Sequence, residues 1–291
     1  MTTPVLDLYP SEATTVLSVS GRRRRLPTNL VVGLGLLATI GFLAGAAPLL
    51  TRYSPDTQDL AHILAPPGYA GHLLGTDQLG RDEWSRLLYG ARVDLLVAFV
   101  AVLTPFLIGT IVGAICGYVG GWGDAVVMRV ADVVVAFPFY VLVLALVFVL
   151  GPGTRSIWIA ISAVSWVSYA RIVRGETLVA TRREYVLAAK QAGLSPARIV
   201  GRHILPNVIT QAIIFAMSDI VLDILVIATL GYLGLGVPPP APEWGEMIAS
   251  GQEFLTTHWE LATIPGLAVV ATGLGLALVG DGVAELLGVN R

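Results

Sequence analysis

The sequence predicts an all-α membrane protein with six transmembrane helices, and three observations predict it. Of 291 residues, 55% are hydrophobic and only 13% are charged, against about 25% charged in a soluble domain. Mean hydropathy is +0.76, so most of the chain belongs in something other than water. The apolar residues also gather in uncharged runs long enough to cross a ~30 Å hydrocarbon core as helices. Lipid offers the backbone no hydrogen bonds, so each run must satisfy its own N–H and C=O groups. Barrel strands would alternate in polarity and need only about 10 residues.

The first span is expected over about 30–50. It follows a tail, residues 1–29, that carries Arg22, Arg23, Arg24 and Arg25. Ala44-Gly45-Ala46 resembles a signal-cleavage site, but the preceding segment and the apolar run are both long for a signal peptide. The run is therefore expected to stay as a span. The second and third spans fall at about 94–118 and 132–152. The fourth, about 156–172, is the weakest, with 15 residues between Arg155 and Arg171. Both arginines can snorkel to the headgroups. The fifth, about 208–232, is interrupted by Asp219 and Asp223, and the sixth covers about 261–281. Residues 30–291 thus read as one transmembrane domain.

Basic residues set the direction. With the N-terminus in the cytoplasm, 13 Arg and Lys fall on cytoplasmic segments and 5 on outer ones, the bias that orients spans. Trp84, Trp158, Trp244 and Trp259 fall near the expected outer boundary and Trp122 near the inner one, as interfacial aromatics do. Trp166 does not follow that pattern.

The loop at 171–207 is the most informative segment. Seven basic residues lie in it: Arg171, Arg174, Arg182, Arg183, Lys190, Arg198 and Arg202. It reads as a helix over 176–192, with Leu178, Tyr185, Ala189 and Ala192 near one face. Gly193 ends it, because glycine tolerates the left-handed C′ conformation. Ser195 caps a second helix with Pro196 in its first turn, and Pro206 is expected to stop that helix where the fifth span begins. On capping chemistry alone this could be an ordinary charged surface loop. That chemistry favours the surface loop over the alternative, a rigid elbow on which another protein rests, with Ala188 and Ala189 allowing close approach.

Several functions are excluded by what the residues lack. A net charge of -2 gives no handle on nucleic acid. Cys116 is the single cysteine, so no intrachain disulfide can form. Lys190, the single lysine, follows Leu187-Ala188-Ala189 rather than a glycine-rich phosphate loop, so the chain cannot build an ATP site of that kind. His62, His72, His203 and His258 are scattered, and neither a His-Glu-x-x-His pair nor a Gly-x-Ser-x-Gly elbow occurs. No catalytic residue, metal site or cofactor is expected on this chain. Energy must come from a partner or from an ion gradient. Asp219 and Asp223 lie one turn apart on a helix face, roughly in line with Gln211, and each carboxylate near mid-membrane costs about 2.5–3.5 kcal/mol. They either line a polar path or bond to a neighbouring helix. A proton-coupled carrier using Asp219 and Asp223 is the alternative function. Such carriers often show internal repeats, and none is visible here.

The stretch EYVLAAKQAGLSPARIVGRHILPN, 184–207, resembles the EAA loop of ABC importer permeases. It matches at Ala188, Ala189, Gly193, Leu205 and Pro206 and departs at Leu187, where that family usually has glutamate. HLLGTDQLGRDEWSRLLYGARVDLLVA (72–98), GYVGGWGDAVVMRVADVVVAFP (117–138), LGYLGLGVPPPAPEWGEMI (230–248) and PGLAVVATGLGLALVGDGV (265–283) resemble further blocks of the OppC/DppC-type permeases, in the same order. The resemblance implies the type I importer permease fold and a place in the bacterial cytoplasmic membrane. It implies a peptide importer in which this chain pairs with a second, homologous permease. An extracytoplasmic binding protein delivers peptide, and ATPase subunits bind ATP and Mg. The expected ATPase-coupling residues are Glu184, Leu187, Ala188, Ala189, Gly193, Ser195, Pro196, Arg198, Leu205 and Pro206. Gln211, Asp219 and Asp223 are the expected substrate path.

On the outer side, 77–84 reads as a turn leading into an amphipathic helix. Trp84, Leu87, Leu88 and Ala91 lie on one face, with Asp82, Glu83 and Arg86 polar. The helix either lies in the membrane interface or, with Asp77, Arg81, Asp82 and Glu83, docks the binding protein.

Overall fold

The computed structural model describes residues 26–287. The Arg22–Arg25 cluster and most of the predicted tail lie outside the described residues. The helices run in the order α1 (Thr28–Gly45), α2 (Ala47–Leu50), α3 (Glu83–Val119), α4 (Gly121–Val135), α5 (Phe139–Leu150), α6 (Thr154–Ala180), α7 (Glu184–Gln191), α8 (Pro196–Ile199), α9 (Leu205–Tyr232), α10 (Trp244–Gly251) and α11 (Glu260–Leu286). No strand occurs among the described residues; a single bridge pairs Thr76 with Asp82. Five helices are long and apolar enough to cross a membrane: α1, α3, α6, the 37-residue stretch Pro196–Tyr232 that contains α9, and α11. The sixth candidate is a bent pair, α4 and α5, which meet at 90°.

That bend falls inside the third span expected at about 132–152. Pro138 is the N-cap of α5, and a proline disfavours helical backbone in the residue before it. The chain turns at 136–138, and α4 stands at a right angle to α5 instead of running straight into it. Two ion pairs pin α4 to α6. Arg174 grips Asp124 through both Nε (2.5 Å) and Nη2 (2.6 Å), and Arg171 reaches Asp132 at 2.7 Å.

The weakest predicted span is the best-buried one. Half of the most apolar window of α6 is buried inside the protein, so its serines do not need to tolerate lipid. It packs along α3, its most extensive partner, through Gly109, Gly113 and Gly117. A Cβ on Gly117 would lie 2.7 Å from the Thr177 Cβ. One on Gly113 would fall against the Ala170 carbonyl oxygen and lie 3.0 Å from the Arg174 nitrogen. Small residues four apart let two membrane helices approach to backbone contact, where dispersion and packing replace the missing hydrophobic drive.

Around the α3–α6 pair two apolar clusters form. One joins Ala98, Ala101, Val143, Val147, Ile161 and Ile227 to Trp244 and Met247 of α10. The other joins Tyr169, Val173, Ile204 and Val208 to Val186 and Ala189 of α7. The molecule therefore has a loop end, bearing residues 181–204, and a lobe end, bearing 51–82 and α10.

Candidate functional site

At the loop end the chain makes a sharp corner. α6 stops at Ala180, and α7 begins only at Glu184, so the continuous helix expected over 176–192 is broken at 181–183. Leu178 consequently belongs to α6 and shares no face with Tyr185. After α7 the corner closes as expected. Gly193 has φ +75°, its N–H donates to the Lys190 carbonyl at 3.0 Å, and the Leu194 N–H donates to Ala189 at 3.2 Å. These are the paired bonds of a Schellman ending, which satisfies helix carbonyls that would otherwise be orphaned. Ser195 is the N-cap of α8 and Pro196 its first residue, although the serine hydroxyl makes no capping bond.

Pro206 does not stop the second helix. It lies in the first turn of α9, and one helical path runs from Pro196 to Tyr232. The reason is the wider π-type turn at Val200–Ile204. A loosened turn relieves the clash between a proline ring and the carbonyl four residues earlier and absorbs the missing N–H.

The corner divides into an anchored and an open face. Val186, Ala189, Ile199 and Ile204 are buried against α3 and α9, and the Lys190 ammonium sits 5.1 Å from the Tyr118 ring centroid. Glu184, Tyr185, Leu187, Ala188, Gly193, Ser195, Pro196, Arg198 and Pro206 are exposed, and Leu205 is half-buried. Of the two alanines expected to admit a partner, Ala188 is open and Ala189 faces inward. The exposed ridge is apolar at Tyr185 and Leu187 and basic at Arg198. Among the described residues no metal-binding cluster of His, Cys, Asp and Glu occurs.

The predicted path residues are placed differently. Tyr169 on α6 donates its hydroxyl proton to Asp219 at 2.7 Å. Asp223 is 0% exposed, and neither carboxylate oxygen has a partner. Gln211 is half-buried. Both acids are buried among the chain's own helices: Asp219 makes a helix–helix bond to Tyr169, and Asp223 makes none. Asp223→Asn, which removes a buried unpartnered acid at constant shape, is expected to raise the thermal unfolding midpoint. A lowered midpoint would reveal a partner for the carboxylate.

At the lobe end the charges expected on a surface are buried. Asp77, Arg81, Asp82 and Glu83 are all at most 4% exposed. Arg81 Nε donates to Asp77 at 2.6 Å. Asp82 caps α3 through the Ser85 N–H at 2.8 Å and bonds His72 at 2.8 Å, while Tyr53 stacks on His72 at 4.2 Å. The helix expected to lie alone in the interface is the first part of α3. Arg86, which spacing marked only as polar, is the hub. It donates to Glu246 at 2.8 Å and to the carbonyls of Pro55 and Pro240 at 3.4 Å, and stands 3.6 Å from Asp77. Trp244 is buried under the lobe rather than in an interfacial belt. No local signal could have found the Arg86–Glu246 pair, which spans 160 positions.

The profile of the family described as binding-protein-dependent transport system inner membrane component matches residues 109–288. The chain is 39% identical to the probable D,D-dipeptide transport system permease protein DdpC of Escherichia coli, over 83% of this chain and 80% of that one. It is 37% identical to the dipeptide transport system permease protein DppC of Alkalihalophilus pseudofirmus, over 88% and 84%. It is 36% identical to the glutathione transport system permease protein GsiD of Pectobacterium atrosepticum, over 91% and 88%. Among solved structures, inward-facing conformations of the MetNI methionine ABC transporter align with a TM-score of 0.55, covering 69% of this chain and 95% of that chain at 18% identity. That last likeness concerns the fold alone.

Proposed function

The chain belongs to the family of binding-protein-dependent transport system inner membrane components, and from that premise we propose that it carries peptides inward as one of two paired permeases driven by separate ATPase subunits. It is a multi-pass membrane protein. The observation that carries the proposal is the corner at 184–206: an exposed ridge on buried anchors, joined by one helical path to the opposite end of the membrane domain. A surface of that kind suits force delivered by another protein. Peptide cargo is supported by the relatives, which include dipeptide and glutathione permeases.

In this reading the loop end faces the cytoplasm, where ATP and Mg are bound by the partner ATPases. The lobe end faces the extracytoplasmic binding protein. Glu184, Leu187, Ala188, Gly193, Ser195, Pro196 and Arg198 form the ATPase contact, and Ala189 positions it from beneath. Leu187 offers the ATPase an apolar contact at the place where a glutamate would offer charge.

The test is to isolate the chain from its native membrane in mild detergent, identify the co-purifying subunits and reconstitute uptake of a labelled dipeptide. An ATPase and a second permease are expected, with uptake dependent on ATP. Gly193→Val places a β-branched residue at φ +75°, which costs about 1–2 kcal/mol and reshapes the corner. It is expected to lower uptake at least tenfold while ATP hydrolysis continues. Wild-type uptake in that variant would remove the corner from the mechanism.

A further inference from the structure

Where α10 meets α3, two buried acids cap the start of α10, and the importer reading leaves both unused. Trp244 opens α10, and its indole lies over Gly90, where a Cβ would come within 3.1 Å of Cδ1. Its ring N–H donates to the Leu87 carbonyl at 3.0 Å, and its backbone N–H donates to Asp94 Oδ2 at 3.0 Å. Asp94 is 3% exposed, and its other oxygen, Oδ1, has no partner. The residue before Trp244 is Glu243, which is fully buried. Its two oxygens cap α10 by accepting from the Gly245 N–H at 2.9 Å and the Glu246 N–H at 3.2 Å.

Both acids sit at one helix end: Asp94 accepts from the first N–H of α10 and Glu243 from the next two. The Glu243 Cα lies 3.7 Å from where a Gly90 Cβ would be, and Asp94 is one helical turn beyond Gly90 on the same face of α3. Gly231, at the end of α9, and Gly236, in the segment after it, close the space around the Glu243 carboxylate. Among the described residues no cation bonds to either acid. On the surrounding elements, Glu246 is neutralised by Arg86 and Asp77 is held by Arg81. Glu260, opening α11, is engaged by His258 at 3.2 Å, and Arg92 of α3 is exposed. Glu83 of α3 and Asp219 and Asp223 of α9 are buried acids that add no positive charge.

Two ionised carboxylates in one water-poor enclosure repel, and the three backbone N–H groups at the start of α10 are their only partners, with no cation beside them among the described residues. We propose that Asp94 and Glu243 together hold one proton in this arrangement, and that its release frees α10 from α3: a proton-operated clasp on the lobe. The backbone bonds to Glu243 suit an anion, and the open Oδ1 of Asp94 suits the proton. Burial pushes the Glu243 carboxyl up, against the smaller pull of those backbone bonds. The sign follows from linkage. The clasped form binds the proton more tightly than the released form, so it is favoured at low pH and loses that advantage as pH rises. The clasp depends on the lobe's own contacts and not on the cargo.

The test uses the purified complex with its accompanying subunits, read by infrared spectroscopy of protonated carboxyl groups and by hydrogen exchange of the α10 amides. In wild type a buried-carboxyl band is expected near pH 6. Protection of α10, corrected for intrinsic exchange, should fall about tenfold by about pH 9, equivalent to one unit of altered proton affinity. Asp94→Asn keeps an acceptor for the Trp244 N–H without the titration. It should lose that band and hold its protection level across the range. Glu243→Gln removes the second negative charge and should flatten the profile too, so the test survives if one variant does not assemble. A wild-type pH profile in either variant, or the absence of a protonated carboxyl assignable to Asp94 or Glu243, overturns the proposal.

Discussion

Arg86→Met is expected to destabilise the lobe by about 3–5 kcal/mol, the range for removing one partner from a buried ion pair. The guanidinium is 1% exposed and ties together three segments far apart in sequence. Without it Glu246 loses its bonded cation, and Asp77 keeps Arg81 alone. Methionine fills much of the volume, so the loss reports charge and hydrogen bonds rather than a cavity. Arg86→Lys preserves the charge but cannot reach Glu246, Pro55 and Pro240 at once, and it should recover only part of the difference. The measurement is the thermal unfolding midpoint of the purified complex, together with protease sensitivity of residues 51–82. Two variants that melt with wild type would show that the lobe is held by something other than this hub.

Gly113→Leu is expected to prevent assembly of the membrane domain. Even the first carbon of a side chain would collide with the backbone of Ala170 and Arg174. Overpacking typically costs 1–3 kcal/mol, occasionally more. Here the clash is with backbone, which cannot turn aside, so α3 and α6 must separate along their length. The amount of folded protein recovered from membranes should drop severalfold. Gly113→Ala should show a smaller loss of the same kind. Gly123→Ala, at a glycine with open space around it, serves as the control and should match wild type. Wild-type recovery of Gly113→Leu would mean that the two helices do not meet as described.

The two contacts differ in how far the sequence discloses them. Helices and their approximate positions were legible because apolar run length is a local property that lipid enforces. The corner at Gly193, Ser195 and Pro196 was legible because caps and turns are also local chemistry. The bend at Pro138 inside the third apolar run was not legible, since hydropathy does not sense backbone direction. Pro206 was misread because the π-type turn at 200–204, just before it, is not encoded in any single residue type. The lobe was misread for a different reason. Charged residues are nearly always exposed unless paired, and the partners of Arg86 lie on segments that only the fold brings near. The glycine series at 109, 113 and 117 was visible in the sequence as a small-residue repeat of period four, a signal that span-counting passes over.

The unbroken path from Pro196 to Tyr232 has a mechanical corollary. Its 37 residues give a rod about 55 Å long at 1.5 Å per residue. If the rod tilts about one end by roughly 5°, its tip sweeps about 5 Å, close to one helical turn. With the pivot close to the corner, a small stroke there would become a displacement large enough to unseat side chains at the far tip. Stiffness along the shaft would set the gain, and the wide turn at 200–204 would be the place where that gain is lost.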